Sequence, residues 1–453
     1  MMPLHFKQRG AFMKGALLGL GMALAFACAA GAGERMVFAH YMVCIPAYGP
    51  DSTVQDYQRE MRDALAVGID GFALNCGAWS IREPHYKRRT LLIYQAAKEL
   101  ESDFKLFISA DFAVALAHEE FREMVELFRE HPNQFRHMGK PVISTFGGGT
   151  NETAFLRGTF GDGVVYVPFY YPIPAAENPD AAQVDQVFER CQAQVDGFFH
   201  FGAAGFPDEI IAANRRLARK WLGAGKLFMA PVTPFYLGRG GNYRVYESDG
   251  MESMARQWEG AIRDGASWVE IVTWNDWGEC SYIAPFGSST FTNLWKGHWG
   301  AVMPHTGFYK ATRYYADWYK TGKPPRIEEE MVCYAYRLHP KHLEHPRKNP
   351  RTQEDELARP THADRLREDV FATVFLAEDA VLTIHSGDTQ KSFPLAAGVT
   401  HVSMPFQIGA QRFVLTRNNE VLIDKTGEFE ISATDTSSNF NVFSGAAREG
   451  NRE

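Results

Sequence analysis

The sequence predicts an α/β protein, a (β/α)8 TIM barrel followed by an antiparallel β-sandwich. Three observations carry that expectation. Eight short apolar runs recur along the first 280 residues, each with the length and texture of a strand buried on both faces. Helical patterns lie between them, so consecutive strands should pair in parallel through crossover connections. After about Pro325 the texture changes to short alternating segments broken by turn residues, the pattern of an antiparallel sandwich.

The eight runs are MVFAHYMV (36–43), GIDGFALNC (68–76), FKLFISAD (104–111), KPVISTF (140–146), VVYVPFYY (164–171), VDGFFHF (195–201), KLFMAPVTPF (226–235) and WVEIVTWND (268–276). Between the first two, residues 53–67 place Val54, Tyr57, Met61 and Leu65 at helical spacing. The 85–101 segment is helical in pattern after Thr90, and 117–130 sets Phe121, Val125 and Phe128 on one face. Residues 151–158 carry only a short, weak pattern. The stretches 182–194, 207–222, 251–264 and 307–320 complete the set. Residues 339–369 form a connection rich in His, Pro and charge, and YAYRLHP (334–340) is a candidate first sandwich strand. The division expected is a leader to residue 33, a barrel over 34–325, a sandwich domain over 326–443 and a frayed tail over 444–453. No repeat is evident beyond the β/α alternation.

Composition narrows the function. A hydrophobic fraction of 45% supports a large core. The formal charge is −7, and removal of the first 33 residues, which hold Lys7, Arg9 and Lys14 and no acid, leaves it near −10. Such a surface does not suit nucleic acid or another polyanion. The basic start, the apolar run from about Gly15 to Ala27 and the small residues that follow read as a secretory signal, too short to span a bilayer stably. A secreted or periplasmic protein is therefore expected. Cys28 stands where a lipoprotein cysteine would, but Ala25 replaces the usual large aliphatic residue, and a lipid anchor is the lesser expectation. Beyond the leader, Cys44, Cys76, Cys191, Cys280 and Cys333 are odd in number and lack metal-like spacing. Buried free thiols are favoured over a Cys44–Cys76 bridge.

In a (β/α)8 barrel the active site forms at the carboxyl ends of the strands. The polar groups at those ends are His40, Asn75, Asp111, Tyr170 with Tyr171, His200, Tyr236, and Asn275 with Asp276 and Glu279. The eighth run delivers two carboxyls three residues apart across Gly278, between Trp274, Trp277 and Tyr282. Two acids sharing a dry site push their pKa values apart, which is the arrangement that glycoside hydrolysis needs. A helix N-cap would explain one acid, but not both. The strand-end aromatics offer faces on which sugar rings pack. Substrate contacts are thus expected from His40, Asn75, Asp111, Tyr170, Tyr171, Tyr236, Trp274, Asn275, Trp277 and Tyr282. His40 is a single histidine, with no H-x-H or H-E-x-x-H, so neither a metal nor another cofactor is expected. Asp70 and Asp196, each before a glycine at a strand start, read as structural. The FGGG at 146–149 lacks the Gly-Lys-Ser/Thr of a phosphate loop.

VFAHYMV, GIDGFALN, FKLFISAD, HPNQFRHMGKPVISTF, MAPVTPFY and EIVTWNDWGECSYIAP resemble glycoside hydrolase family 71, the α-1,3-glucanases or mutanases. The likeness runs in order over about residues 36–322 and reaches YAYRLHP. It implies a (β/α)8 barrel with an appended β-sandwich, and metal-free hydrolysis of α-1,3-glucan with inversion at the anomeric carbon. The acids of the family's WND-x-GE segment fall on Asp276 and Glu279. Two departures touch the cleft: Gly147 replaces an acid after STF, and FFHFGAAGFPDE lacks the tryptophans usual near the sixth strand end.

Within the pair, Glu279 is expected as general acid in the drier setting, and Asp276 as base, kept charged by Asn275. The competing readings are a barrel acting on another glycan linkage, a secreted carbohydrate-binding protein without activity, and a metal-dependent hydrolase. No exposed aromatic row marks the sandwich as a glycan binder, so it reads as a buttress.

Overall fold

Each of the eight apolar runs contributes a strand to one curled sheet. The structure, a computed structural model, describes residues 34–170, 178–286 and 300–450. The leader with Cys28, and Tyr171, lie outside the described residues. The strands are β1 Met36–Met42, β2 Gly71–Cys76, β3 Lys105–Asp111, β4 Lys140–Phe146, β5 Val165–Tyr166, β6 Gly197–Phe199, β7 Leu227–Val232 and β8 Trp268–Ile271. Parallel ladders join β1 to β2, β2 to β3, β3 to β4 and β4 to β5. They also join β6 to β7, β7 to β8, and β8 back to β1. Between β5 and β6 two backbone bonds run across, from Asp196 N to Tyr166 O (3.0 Å) and from Phe199 N to Pro168 O (2.9 Å).

Among the described residues, eight helices alternate with these strands: α1 Val54–Ala66, α2 His85–Glu99, α3 His118–Phe128, α4 Thr150–Phe160, α5 Ala181–Cys191, α6 Pro207–Gly223, α7 Glu252–Asp264 and α8 Thr306–Thr321. Thr53 starts α1 with a reciprocal cap, its hydroxyl accepting from Asp56 N while the Asp56 carboxylate accepts from Thr53 N. The weakly patterned α4 is held by tertiary bonds. Its Arg157 donates to Gln194 O and Val164 O and pairs with Asp196.

The two Asp-Gly pairs are one device used twice. Asp70 accepts from Val37 N at 2.8 Å, and Asp196 accepts from Tyr166 N at 2.8 Å, so each carboxylate ties its strand start to a neighbouring strand. The following glycine leaves room for backbone. A Cβ at Gly71 would lie 2.1 Å from Lys105 O, and one at Gly197 would lie 2.7 Å from Leu227 O. No side chain fits at such a distance.

Inside the curl, Phe38, Phe107, Phe135 and Trp268 pack at the amino end of the strands, with Phe107 edge-on to Phe38 and Trp268 edge-on to Phe135. Above them sits a polar layer, with His40 Nδ1 lying 2.6 Å from Glu270 Oε1 and both side chains fully buried.

The C-terminal region forms two four-stranded antiparallel sheets. One has the order 398–405, 369–376, 331–337, 442–448, and the other 389–395, 380–386, 411–417, 420–426. Val332, Tyr334, Val374, Leu382, Phe413 and Leu415 share the core between them. A short hairpin, 345–348 with 355–358, stands inside the charged connection. The expected frayed tail is corrected: Val442–Arg448 is a strand paired along its length with Met331–Arg337. Its small residues hid it. Ser444 accepts from Gly307 N at the start of α8, and a Cβ at Gly445 would strike the Tyr334 ring. The strand needs small side chains and so reads as polar and loose. Cys44, Cys76, Cys191, Cys280 and Cys333 are free thiols.

Candidate active site

Beyond β8 the chain turns sharply, and nearly every side chain in the turn is an anchor. The Asn275 amide donates to Met42 O (3.1 Å) and Ile45 O (3.0 Å) and accepts from Met42 N (2.7 Å). Trp277 Nε1 donates to Ile45 O at 3.0 Å, and Trp274 Nε1 donates to Glu60 of α1 at 2.9 Å. Asp276 N donates to Thr273 Oγ1, and Asp276 Oδ1 accepts from Glu279 N at 2.8 Å. The two acids therefore share a turn whose other side chains are committed to β1, its loop and α1.

A hairpin, Tyr236–Gly238 paired with Arg244–Tyr246, reaches Glu279 from the β7 side. The Tyr236 hydroxyl donates to Glu279 Oε1 at 2.8 Å, and Asn242 Nδ2 approaches the same oxygen at 3.4 Å while donating to Tyr236 at 2.7 Å. These donors and the Arg244 charge favour the ionised form of Glu279, against the burial that raises its pKa. Asp276 has no such donors beyond backbone. Burial and the neighbouring Glu279 charge push its carboxyl up to about 7. The side-chain donors thus fall on Glu279 and not on Asp276. Burial raises both carboxyls, and donors oppose that rise at Glu279. Asn275, expected to keep Asp276 ionised, spends its amide on the β1 loop instead.

Glu279 opens onto a cavity of about 380 Å³. Phe146, Phe169 and Phe201 give it an apolar side, Tyr236, Asn242, Arg244 and Glu279 a polar one, and Gly202, Ala203 and Ala204 lie at its edge. The small Gly202–Ala204 run stands where the resemblance leads one to expect tryptophan. Gly147 has φ +73°, and a Cβ there would sit 3.0 Å from Ala113 N, so this backbone favours glycine over the expected acid.

The structure brings together Asp276, Glu279 and Tyr236 from the expected set, with Asn75 and Asp111 joined to each other at the ends of β2 and β3 (3.3 Å). The Asp111 carboxyl is raised, chiefly by burial. The other expected residues that the structure describes do not line the cavity. Tyr170 is buried and its hydroxyl meets Thr153 of α4, because alternation turns Phe169 to the cavity instead. Trp274, Asn275 and Trp277 are buried anchors. Tyr282 stacks on His305 at 4.2 Å and bonds Met303 O and Asn441, facing the C-terminal region. His40 lies buried against Glu270. His200 Nδ1 lies 2.7 Å from Asn214 of α6. Sequence reasoning missed Asn242, Arg244 and Glu270. The hairpin had a signal, since YLGRGGNYRVY has alternating flanks around a Gly-Gly turn. Glu270 had none, for it sits in an apolar run. Among the described residues no group of three or more His, Cys, Asp or Glu is placed to hold a metal ion.

Comparison with known proteins points to glycoside hydrolysis. The family model described as Glycosyl hydrolase family 71 matches residues 33–453. A mutanase from Penicillium rubens is 28% identical over 92% of this chain and 90% of its own length. The glucan endo-1,3-alpha-glucosidase agn1 from Schizosaccharomyces pombe is 31% identical over 91% of this chain and 94% of its own length. Among solved structures, an endo-alpha-mannosidase of family GH99 from Bacteroides thetaiotaomicron aligns with TM-score 0.48 and 15% identity, covering 64% of this chain and 98% of that one.

Proposed function

Since the chain belongs to glycosyl hydrolase family 71, we propose that it hydrolyses internal α-1,3 bonds of glucan, with Asp276 as general acid and Glu279 as general base. The observation that supports this reading is the pair of buried carboxyls beyond β8, Asp276 raised to about 7 and Glu279 raised by burial against the side-chain donors it receives. The relatives' names supply the substrate.

In this mechanism the Asp276 proton passes to O3 of the departing glucose as the C1–O3 bond breaks. Glu279 takes a proton from the water whose oxygen forms the new bond to C1, so the sugar inverts. An inverting pair stands about 6.5–9.5 Å apart to admit that water. Tyr236 and Asn242 keep Glu279 oriented and charged, and Phe146, Phe169 and Phe201 offer an apolar wall to a sugar face. Asn75 and Asp111 are the remaining candidates for hydroxyl contacts.

The same reading takes the curled sheet as a closed (β/α)8 barrel, the two β5–β6 backbone bonds supporting closure. It takes 34–325 as the catalytic domain and the antiparallel sheets as an accessory sandwich. No helix of the described residues is long and apolar enough to cross a membrane. Export follows from the leader, and N-terminal sequencing of exported protein should begin near residue 33. An intact Met1 or Met13 there would contradict export.

The deciding experiment incubates the protein with insoluble α-1,3-glucan and follows new reducing ends and product anomers. Oligosaccharides first released in the β configuration are expected. Release of glucose alone, α products, or activity only on another linkage would overturn the corresponding part of the proposal.

A further inference from the structure

The hairpin that supplies the Glu279 donors is supported from two sides. On the catalytic side, Leu237 N donates to Glu279 O (2.9 Å) and Arg239 N to Gly278 O (3.2 Å). On the other side lies the charged connection to the sandwich. Val245 N donates to Thr361 O and Thr361 N to Tyr243 O, both at 3.0 Å. The buried Arg347 guanidinium lies 4.0 Å from the centre of the Tyr243 ring, and its Nη2 donates to Gly240 O at 3.1 Å. Its Nε stands 3.3 Å from Glu356. Just past the hairpin, Glu247 forms a buried ion pair with Arg337 (2.9 and 3.2 Å) and accepts from Arg367 N.

We infer that the connection Arg337–Arg367 is a working part of the active site, with Arg347 as a positioning residue that holds the hairpin, and through it Tyr236 and Asn242, against Glu279. This goes beyond a passive buttress and rests on the reading of Glu279 as the base. Arg347 sits opposite the turn of the hairpin and grips both a ring face and a backbone carbonyl, so its loss frees the segment that carries Asn242 and Arg244. A cation over a ring and a charge-assisted bond to a carbonyl are each strong when desolvated. The charged and titratable groups facing Glu279 are Asp276, Tyr236, Arg244 and Cys280. Loosening the hairpin withdraws Tyr236 and Arg244 and leaves Asp276, so Glu279 protonates more easily.

The test compares the full chain with Arg347→Ala and Arg347→Lys, by hydrogen exchange and by the pH profile of kcat/KM on α-1,3-glucan. In Arg347→Ala, exchange over residues 236–246 should quicken by about tenfold while the β1–β3 amides keep their protection. The acid limb of the profile should move to higher pH by about half a unit or more. Arg347→Lys, which keeps a cation and a donor, should recover part of both effects. Unchanged exchange in the hairpin overturns the inference whatever the activity, as does a uniform loss of rate with the limb in place. Quickened exchange in a protein that never cleaves glucan would keep the clamp and remove the functional reading instead. Should Arg347→Ala fail to fold, Tyr243→Leu, which removes the ring against which the Arg347 guanidinium lies, should give shifts in the same directions, and no shift there would overturn the inference.

Discussion

At the scale of single residues, the chemistry turns on who donates to which carboxylate. Asp276 and Glu279 share one turn, yet only Glu279 receives side-chain donors, from Tyr236 and Asn242. Glu279→Gln should lose glucan activity by about 10²–10⁴ and show no recovery on an α-glucosyl fluoride, whose leaving group needs no proton. Asp276→Asn should lose as much on glucan but recover in part on the fluoride. Recovery of Glu279→Gln alone would restore the opposite assignment, and full activity in both would end the carboxylate-pair mechanism. The pH profile carries the same logic. The acid must be protonated, so kcat/KM should fall as pH rises past about 7, where Asp276 ionises. Tyr236→Phe removes a donor that favours charged Glu279, so the acid limb should move upward in pH while the alkaline limb stays near its place.

At the scale of elements, strand ends and helices are tied by a few buried polar groups. Glu60 on α1 is buried, accepts from Tyr41 and Trp274, and its carboxyl is pushed up to about 7, chiefly by burial. Its folded pKa is above the unfolded value, so the stability it contributes is fully present below about 4.5 and lost as pH rises through about 7. In Glu60→Gln, the amide oxygen can still accept from Trp274 and the Tyr41 hydroxyl can rotate to accept. The variant should therefore lose less stability between pH 5 and pH 8 than the wild type, measured by urea unfolding. Parallel slopes in the two proteins would show that Glu60 is not the group responsible. Gly71→Ala is the corresponding steric test. Its Cβ would collide with Lys105 O on β3, and soluble yield or stability should drop by about 3 kcal/mol or more, since backbone cannot yield as a flexible side chain can.

At the scale of the molecule, the C-terminal sheets are built into the rest. Gly307 at the start of α8 bonds Ser444, His305 lies against Asn441 and Val442, and Arg337 pairs with Glu247. His305 is buried and its pKa is lowered to about 4, chiefly by burial, so it bridges these elements as a neutral ring at physiological pH. Deleting residues 326–453 strips α8 and the 236–246 hairpin of these partners. It should give an insoluble or unfolded product by yield and circular dichroism. A folded, active truncation would show that the first 325 residues are self-sufficient.

The order of the eight strands and the landing of Asp276 and Glu279 at one strand end were legible in the sequence alone. Long buried strands must be apolar throughout, and two acids directly after such a run announce themselves. Asp70 and Asp196 were also legible as structural, because an Asp-Gly at a strand start has a local reason. What only the tertiary structure decided was the direction of each side chain near the site. Trp274, Trp277, Tyr282 and Tyr170 carry the composition of a sugar platform, but each turns to a helix, a loop or the C-terminal region, and the rings that line the cavity are Phe146, Phe169 and Phe201. The surroundings of the two acids were decided in the same way. Their donors come from a hairpin some 40 residues earlier in the chain, held in turn by Arg347 about 100 residues later. A pKa depends on what surrounds a group in space, and separations of that length along the chain leave no trace in the local pattern.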